Sequence, residues 1–203
     1  MSLYERHVLP RLVNCVCGTG SMRRQREKVV PAAHGRVLEV GFGTGHNIAY
    51  YDRRRVDYLW ALEPSRESWG LARSRVAGAP FPVEYLPSGA EEIPLPDAVA
   101  DTVVVTFSLC TIPDVAAALA EIRRVLRPRG ELVFCEHGAA PDEGVRRWQD
   151  RLDPLWSRVA GGCHLNRPIA ALIAGSGFRI ERLAEGYVPG PRIASYHSWG
   201  AAT

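Results

Sequence analysis

No apolar run in the 203-residue sequence approaches the ~20 residues that a membrane-spanning helix requires. Residues 1–18 carry charge from Glu5 onward and lack the basic-then-apolar order of a secretory leader. Paired cysteine spacing is missing as well. The five cysteines (Cys15, Cys17, Cys110, Cys135, Cys163) are an odd number and include no C-x-x-C, so a disulfide-stapled framework is disfavoured and Cys15-x-Cys17 fails the redox spacing. Free thiols in a cytoplasmic setting are expected. Charge of one sign is not in large excess: 25 Lys and Arg stand against 22 Asp and Glu, a net +3. That falls short of the concentrated basic face a nucleic-acid partner demands. Repeats, low-complexity tracts and linkers are absent too. What remains is ordinary globular material, 46% hydrophobic and 23% charged, with length enough for one full core.

The pattern predicts a single domain in three stretches: an N-terminal helical cap over 1–31, an alternating core over 35–137, and helices with closing strands over 138–203. Apolar strands are expected at 36–40, 58–62, 81–86, 101–107 and 131–136. Helices should run from His46, over 66–76 with Ser65 as N-cap, and over 115–126 with Asp114 as cap. Asp101–Phe107 is apolar without alternation, as a strand buried on both faces of a parallel sheet should be. Beyond His137, helices are expected over 143–159 and 168–176, then strands at 178–183 and 192–199. Strands separated by helices mean βαβ units with helices on both faces. In the cap, Arg23, Arg24, Arg26 and Lys28 crowd one helix over 22–30. A solvated face is the ordinary expectation; otherwise one arginine caps a ligand carboxylate, or the group meets an anionic membrane surface.

Chemistry concentrates at residues 37–47, where a strand runs into Gly41, Gly43 and Gly45. Glycine there lets the chain turn sharply and a ligand lie against the backbone. The dinucleotide fingerprint is G-x-G-x-x-G, whereas here the order is G-x-G-x-G and His46 takes the last glycine's place. Glu39, two residues before the first glycine, would oppose a pyrophosphate. Glu63 closes the second strand ahead of Pro64 and Ser65, where an acid accepts hydrogen bonds from ribose hydroxyls and argues against a 2′-phosphate. At a strand end, its removal should hardly affect stability.

With Ser88-Gly89-Ala90-Glu91 after the third strand and Thr106-Phe107 ending the fourth, this set resembles the ubiquinone/menaquinone-biosynthesis-like branch of class I methyltransferases. Leu126-Arg-Pro-Arg-Gly130 resembles that family's Leu-Lys-Pro-Gly-Gly turn. The resemblance covers about residues 35–137. It implies a Rossmann-like α/β fold, with a seven-stranded, mostly parallel sheet and helices on both faces. It also implies S-adenosylmethionine as cofactor, held by Glu39, Gly41, Phe42, Gly43, Gly45, Asn47, Glu63, Pro64, Ser65, Ser88, Gly89, Ala90, Glu91, Thr106 and Phe107. Ser88 departs from the aspartate the family places before Gly-Ala-Glu to read the adenine amine.

The later stretches Phe134-Cys-Glu-His137, Trp148 to Trp156, Gly162 to Arg167 and Ser176-Gly-Phe178 are similar to the methyltransferase-like protein 7 family of thiol methyltransferases and its soluble bacterial relatives. The animal members carry an N-terminal membrane anchor, and none is expected here. The likeness implies a small-molecule acceptor, an apolar thiol. A phospholipid amine, met through the basic N-terminal helix in peripheral membrane contact, is the alternative, as is a nucleoside-binding module without turnover. His137 is the candidate general base, or a histidine merely satisfying a strand end beside a small, tightly packed Cys110. Asp153 reads as a local cap or turn residue. No metal is expected, because Cys135, His137, Cys163 and His164 lack paired C-x-x-C spacing. Trp148, Trp156, Tyr187, Tyr196, His197 and Trp199 serve packing, with a share lining an apolar acceptor pocket.

Overall fold

The computed structural model describes Tyr4 and residues 8–203. Seven strands form one sheet in the order β3-β2-β1-β4-β5-β7-β6. They are β1 (Gly35–Val40), β2 (Val56–Leu62), β3 (Val83–Leu86), β4 (Ala100–Thr106), β5 (Leu126–His137), β6 (Ile180–Tyr187) and β7 (Tyr196–Ala202). β1 to β5 pair in parallel, and β7 runs antiparallel between β5 and β6. Strand order reverses between β1 and β4. In open sheets of this kind the ligand crevice lies there, beyond the carboxyl ends of the strands.

The apolar strands are buried on both sides because successive residues of a strand face opposite ways. Leu38, Val103, Val105 and Phe134 meet Leu119 and Ile122 of α4 (Val115–Val125) and Ile173 of α6 (Ile169–Gly175). Val37, Val104, Val133 and Cys135 join the opposite core with Val29 of α2 (Gly20–Val29) and Ala72 of α3 (Arg66–Ala77). The helix starts follow their signals. Ser65 Oγ accepts from the Ser68 amide at 3.1 Å and Asp114 Oδ1 from the Ala117 amide at 3.0 Å. The remaining helices are α1 (Leu9–Cys17) and α5 (Glu143–Val159).

β5 begins at Leu126 and β6 runs to Tyr187, beyond the expected bounds, and two further stretches differ in kind. The helix expected from His46 is one 3-10 turn, His46–Tyr50. Tyr51 leaves it in extended conformation and its hydroxyl reaches back to Glu39 Oε2 at 2.6 Å, while Asp52 turns the chain into β2 by accepting from the Arg54 amide. The last strand begins at Tyr196, not at 192. Arg192–Ala194 is a 3-10 turn after Pro191, closed by a bond from the Val188 amide to the Ser195 carbonyl. Among the described residues no helix is long and apolar enough to cross a membrane.

Candidate active site

Beyond β1, Gly41 (φ +70°) and Gly43 (φ +57°) take left-handed backbone, which a Cβ would strain. A Cβ on Gly41 would also collide with the Ser108 hydroxymethyl group. Only glycine lets the loop pass this close to the exit of β4. Gly45, also left-handed, leads into the 3-10 turn.

Glu63 braces this loop. Its Oε2 accepts the Gly43 amide and its Oε1 the Ser65 amide, each at 2.8 Å. Burial raises the pKa of the carboxyl, while the two amides pull it down. These two bonds bear on the expectation that removing Glu63 hardly affects the stability of the free protein. Glu63 ties β2 to the glycine loop, and each oxygen keeps a further acceptor site.

Seven of the expected cofactor residues (Glu39, Gly41, Phe42, Gly43, Asn47, Thr106 and Phe107) converge on one cleft of about 70 Å³, lined also by Val13, Cys17 and Arg26. Glu39 is buried there, accepting from Asn47 Nδ2 at 3.1 Å and from the Tyr51 hydroxyl. Burial drives its carboxyl up to about 8, although Tyr51, the charge of Arg26 and Asn47 pull it down. Asn47 Nδ2 also donates to Thr106 Oγ1 at 3.0 Å. Phe107, where β4 ends, sits at φ +56°, a strained conformation for an aromatic residue.

Arg26 corrects the reading of its helix as a solvated face. It is 4% exposed and donates to the Cys17 carbonyl at 2.7 Å. Lys28 rests its ammonium 3.9 Å from the centre of the Trp199 ring, leaving Arg23 and Arg24 outward. Arg26 Nε and Asn47 Oδ1 are buried without a hydrogen-bond partner among the described residues. Leaving such an atom unpaired costs about 1–3 kcal/mol. A donor and an acceptor orphaned in one cleft mark where a polar ligand would bind.

Ser88, Gly89, Ala90 and Glu91 lie past β3 and outside that cleft. Ser88 Oγ donates to the Glu92 carbonyl at 2.8 Å, and Glu91 Oε1 accepts from the Asp114 amide. Sequence reading missed the aromatic row that leads toward them. Phe42 meets Trp69 at 5.7 Å, and Trp69 stacks on Tyr85 of β3 at 4.3 Å.

On the β5 side, buried Glu136 accepts the amides of Ser108 (2.6 Å), Leu109 (3.0 Å) and Cys110 (3.3 Å). His137 follows, its Nε2 3.1 Å from Cys163 Sγ. Burial lowers its pKa, but the bond to Cys163 and the surrounding negative charges outweigh this and raise it. Ring contacts of 6.4 Å to His197 and 5.5 Å from His197 to Phe107 connect His137 to the cleft. Cys135 stays in the core, and His164 turns to Asp153 at 2.7 Å. Asp153 thus braces the loop between α5 and α6, as a local cap would.

The Methyltransferase domain family matches residues 38–134. The chain is similar to the thiol S-methyltransferase TMT1B of Homo sapiens, 34% identical over 152 residues, covering 69% of this chain and 59% of the relative. It is also similar to a phosphatidylethanolamine N-methyltransferase of Cereibacter sphaeroides, 36% identical over 121 residues, covering 59% of each. The chain spans little more than half the length of these relatives. Its fold matches a SAM-dependent methyltransferase of Leishmania major with a TM-score of 0.72 at 17% identity, covering 98% of this chain and 80% of that one. A match to the Methyltransferase domain family running from β1 to β5, on a sheet of this order, gives the chain the class I, Rossmann-like methyltransferase fold.

Proposed function

We propose that this chain transfers the methyl group of S-adenosylmethionine to the thiol of a small, apolar acceptor. The observation that carries the cofactor is the orphaned pair in the cleft. An amino-acid carboxylate would satisfy Arg26 Nε, and an ammonium would satisfy Asn47 Oδ1 beside Glu39. Gly41 and Gly43 would let the ligand lie on the backbone, Glu63 would take ribose hydroxyls on its unused lone pairs, and the Ser88–Glu91 stretch would flank the adenine. When bound, the cofactor supplies an already activated sulfonium methyl group. The chain's own work is then to align the acceptor and exclude water; the apolar side chain of Val13 in the cleft lining suits the second task.

The thiol acceptor is supported by the thiol S-methyltransferases, 33–36% identical to this chain. A thiol needs little help to ionise near neutral pH. His137, whose Nε2 is engaged by Cys163, acts by position on the acceptor side rather than as a free base. Free thiols suit a cytoplasmic setting.

The phospholipid alternative has one observation in its favour besides the Cereibacter relative. Val8, Leu12 and Val16, at helical spacing along α1 and its N-cap, are each more than half exposed. Release of S-adenosylhomocysteine decides between them. Small alkyl thiols should support turnover, whereas phosphatidylethanolamine vesicles should not. Vesicle methylation with inert thiols would overturn the acceptor, and no release with either would leave a binding module.

A further inference from the structure

We propose that Cys110, His137 and Cys163 form a zinc site whose fourth position takes the acceptor's sulfur. Only the fourth ligand rests on the thiol reading above. The site itself stands on geometry.

The two sulfurs and the imidazole nitrogen all lie within 4.8 Å of one another. In a tetrahedral zinc site, with Zn–S near 2.3 Å and Zn–N near 2.0–2.1 Å, neighbouring donors sit ~3.5–4 Å apart. The trio needs only small adjustment to close on an ion. Two thiolates and an imidazole are soft donors that exclude magnesium and calcium, and Cys₂His with an open position is a donor set of reactive rather than structural zinc sites. The C-x-x-C spacing that the sequence lacks is irrelevant, since these residues come from three separate segments: the loop after β4, the end of β5 and the loop after α5.

Those segments are held in place by hydrogen bonds from groups packed around them. Glu136 clamps the amides of Ser108, Leu109 and Cys110. The His164 amide donates to the Cys110 carbonyl at 2.8 Å, which brings Cys163 over Cys110. Asp153 holds both His164 Nδ1 and the Leu165 amide at 2.7 Å, and Arg167 donates to the Leu109 and Ile112 carbonyls. Ligands supported in this way are positioned by the fold. Trp156 Nε1–H points at Cys163 Sγ from 3.5 Å, a donor placed for a thiolate. The cluster stands beside the cofactor cleft, since the His137 ring lies 6.4 Å from His197 and His197 lies 5.5 Å from the Phe107 ring that lines the cleft.

Zinc would displace the Cys110 and Cys163 protons to solvent. An acceptor thiol entering the fourth position would lose its proton the same way and keep its electron pair on sulfur. In the transfer, the acceptor S–C bond forms, the sulfonium S–C bond breaks, and that bonding pair remains on the departing sulfur. The charge balances without a protein base.

The test uses the full chain, reduced and stripped with chelator, then titrated with Co²⁺ as a spectroscopic stand-in. Thiolate-to-cobalt charge transfer and tetrahedral visible bands should saturate at one equivalent and be displaced by Zn²⁺. Cys163→Ser and Cys110→Ser should each weaken binding at least 100-fold while still binding S-adenosylhomocysteine, which reports the fold. Exposed Cys15→Ser should bind normally. Absence of stoichiometric bands, or their persistence in both variants, would overturn the site. So would a Cys110–Cys163 disulfide in protein prepared without reductant whose reduced form takes up no cobalt. An added alkyl thiol should shift the visible bands. Cobalt bound one to one with bands indifferent to thiols would keep the site and reject its fourth ligand.

Discussion

The Arg26 guanidinium lies 5.2 Å from the centre of the Phe107 ring, joining the N-terminal helices to the residue where β4 turns left-handed. This cation–π contact ties the cap to the cofactor side of the sheet, where Arg26 lines the cleft.

Arg26→Ala should therefore weaken S-adenosylhomocysteine binding by about 1.5–3 kcal/mol, the range for hydrogen bonds to charged groups. Arg26→Lys should recover only part, since an ammonium cannot reproduce the planar fork. Calorimetry showing unchanged affinity for the alanine variant would remove Arg26 from the site.

Glu63→Ala should do two things at once. Cofactor affinity should fall by about 1.5–3 kcal/mol, and the unliganded melting temperature should fall as well, because Gly43 and Ser65 lose their acceptor. Glu63→Gln keeps one carbonyl oxygen and should restore part of the melting temperature. Identical melting of wild type and Glu63→Ala would show that the brace is idle.

Buried Glu39, raised from 4.5 to about 8, gives a pH dependence of known sign. The folded state binds a proton there that the unfolded state has released. The associated stability is complete below about pH 4.5 and is lost as pH rises toward 8, at up to about 1.4 kcal/mol per unit. Glu63 and Glu136 are raised too, so the diagnostic quantity is a difference. Urea midpoints of Glu39→Gln should fall less between pH 5 and 8 than those of wild type. Parallel curves would refute the assignment.

Gly41→Ala should destabilise by at least about 2 kcal/mol, from left-handed strain together with the collision at Ser108. Adding Ser108→Gly should relieve the collision alone, leaving the strain. An unchanged denaturation midpoint for the single variant would mean that the loop relaxes freely.

Much of this arrangement was legible beforehand because it is local. The valine run of β4, the alternate glycines, and the caps at Ser65 and Asp114 are each decided by residues a few positions apart. The 3-10 turn after Gly45 was not, since Tyr51 is drawn out of helical conformation by Glu39, which lies on the strand beneath. The burial of Arg26 was equally hidden. A charged residue in a charged helix looks solvated until the sheet supplies Phe107 and a cleft. The meeting of Cys110 with Cys163 depends on Glu136 and Asp153, each holding a loop remote in sequence, and no spacing rule contains it. Gln149 is the extreme case. Its side chain bonds Gly138, Ala140, Leu165 and Ile193, yet nothing around it in the sequence sets it apart.

A cleft of about 70 Å³ is far smaller than the ~300 Å³ that ligand pockets ordinarily reach. The helix above it is latched by Thr44 Oγ1 donating to Asn14 Oδ1 at 2.8 Å and by His46 against the Asn14 carbonyl at 3.1 Å. If the cofactor fills this cleft, its entry and exit require that latch to open. Turnover should then be governed by departure of the spent nucleoside, with a rapid first equivalent of methylated product ahead of a slower steady phase. Asn14→Ala, which frees the Thr44 latch, should quicken the steady phase and shorten the residence time of S-adenosylhomocysteine, leaving the size of the first burst as it was.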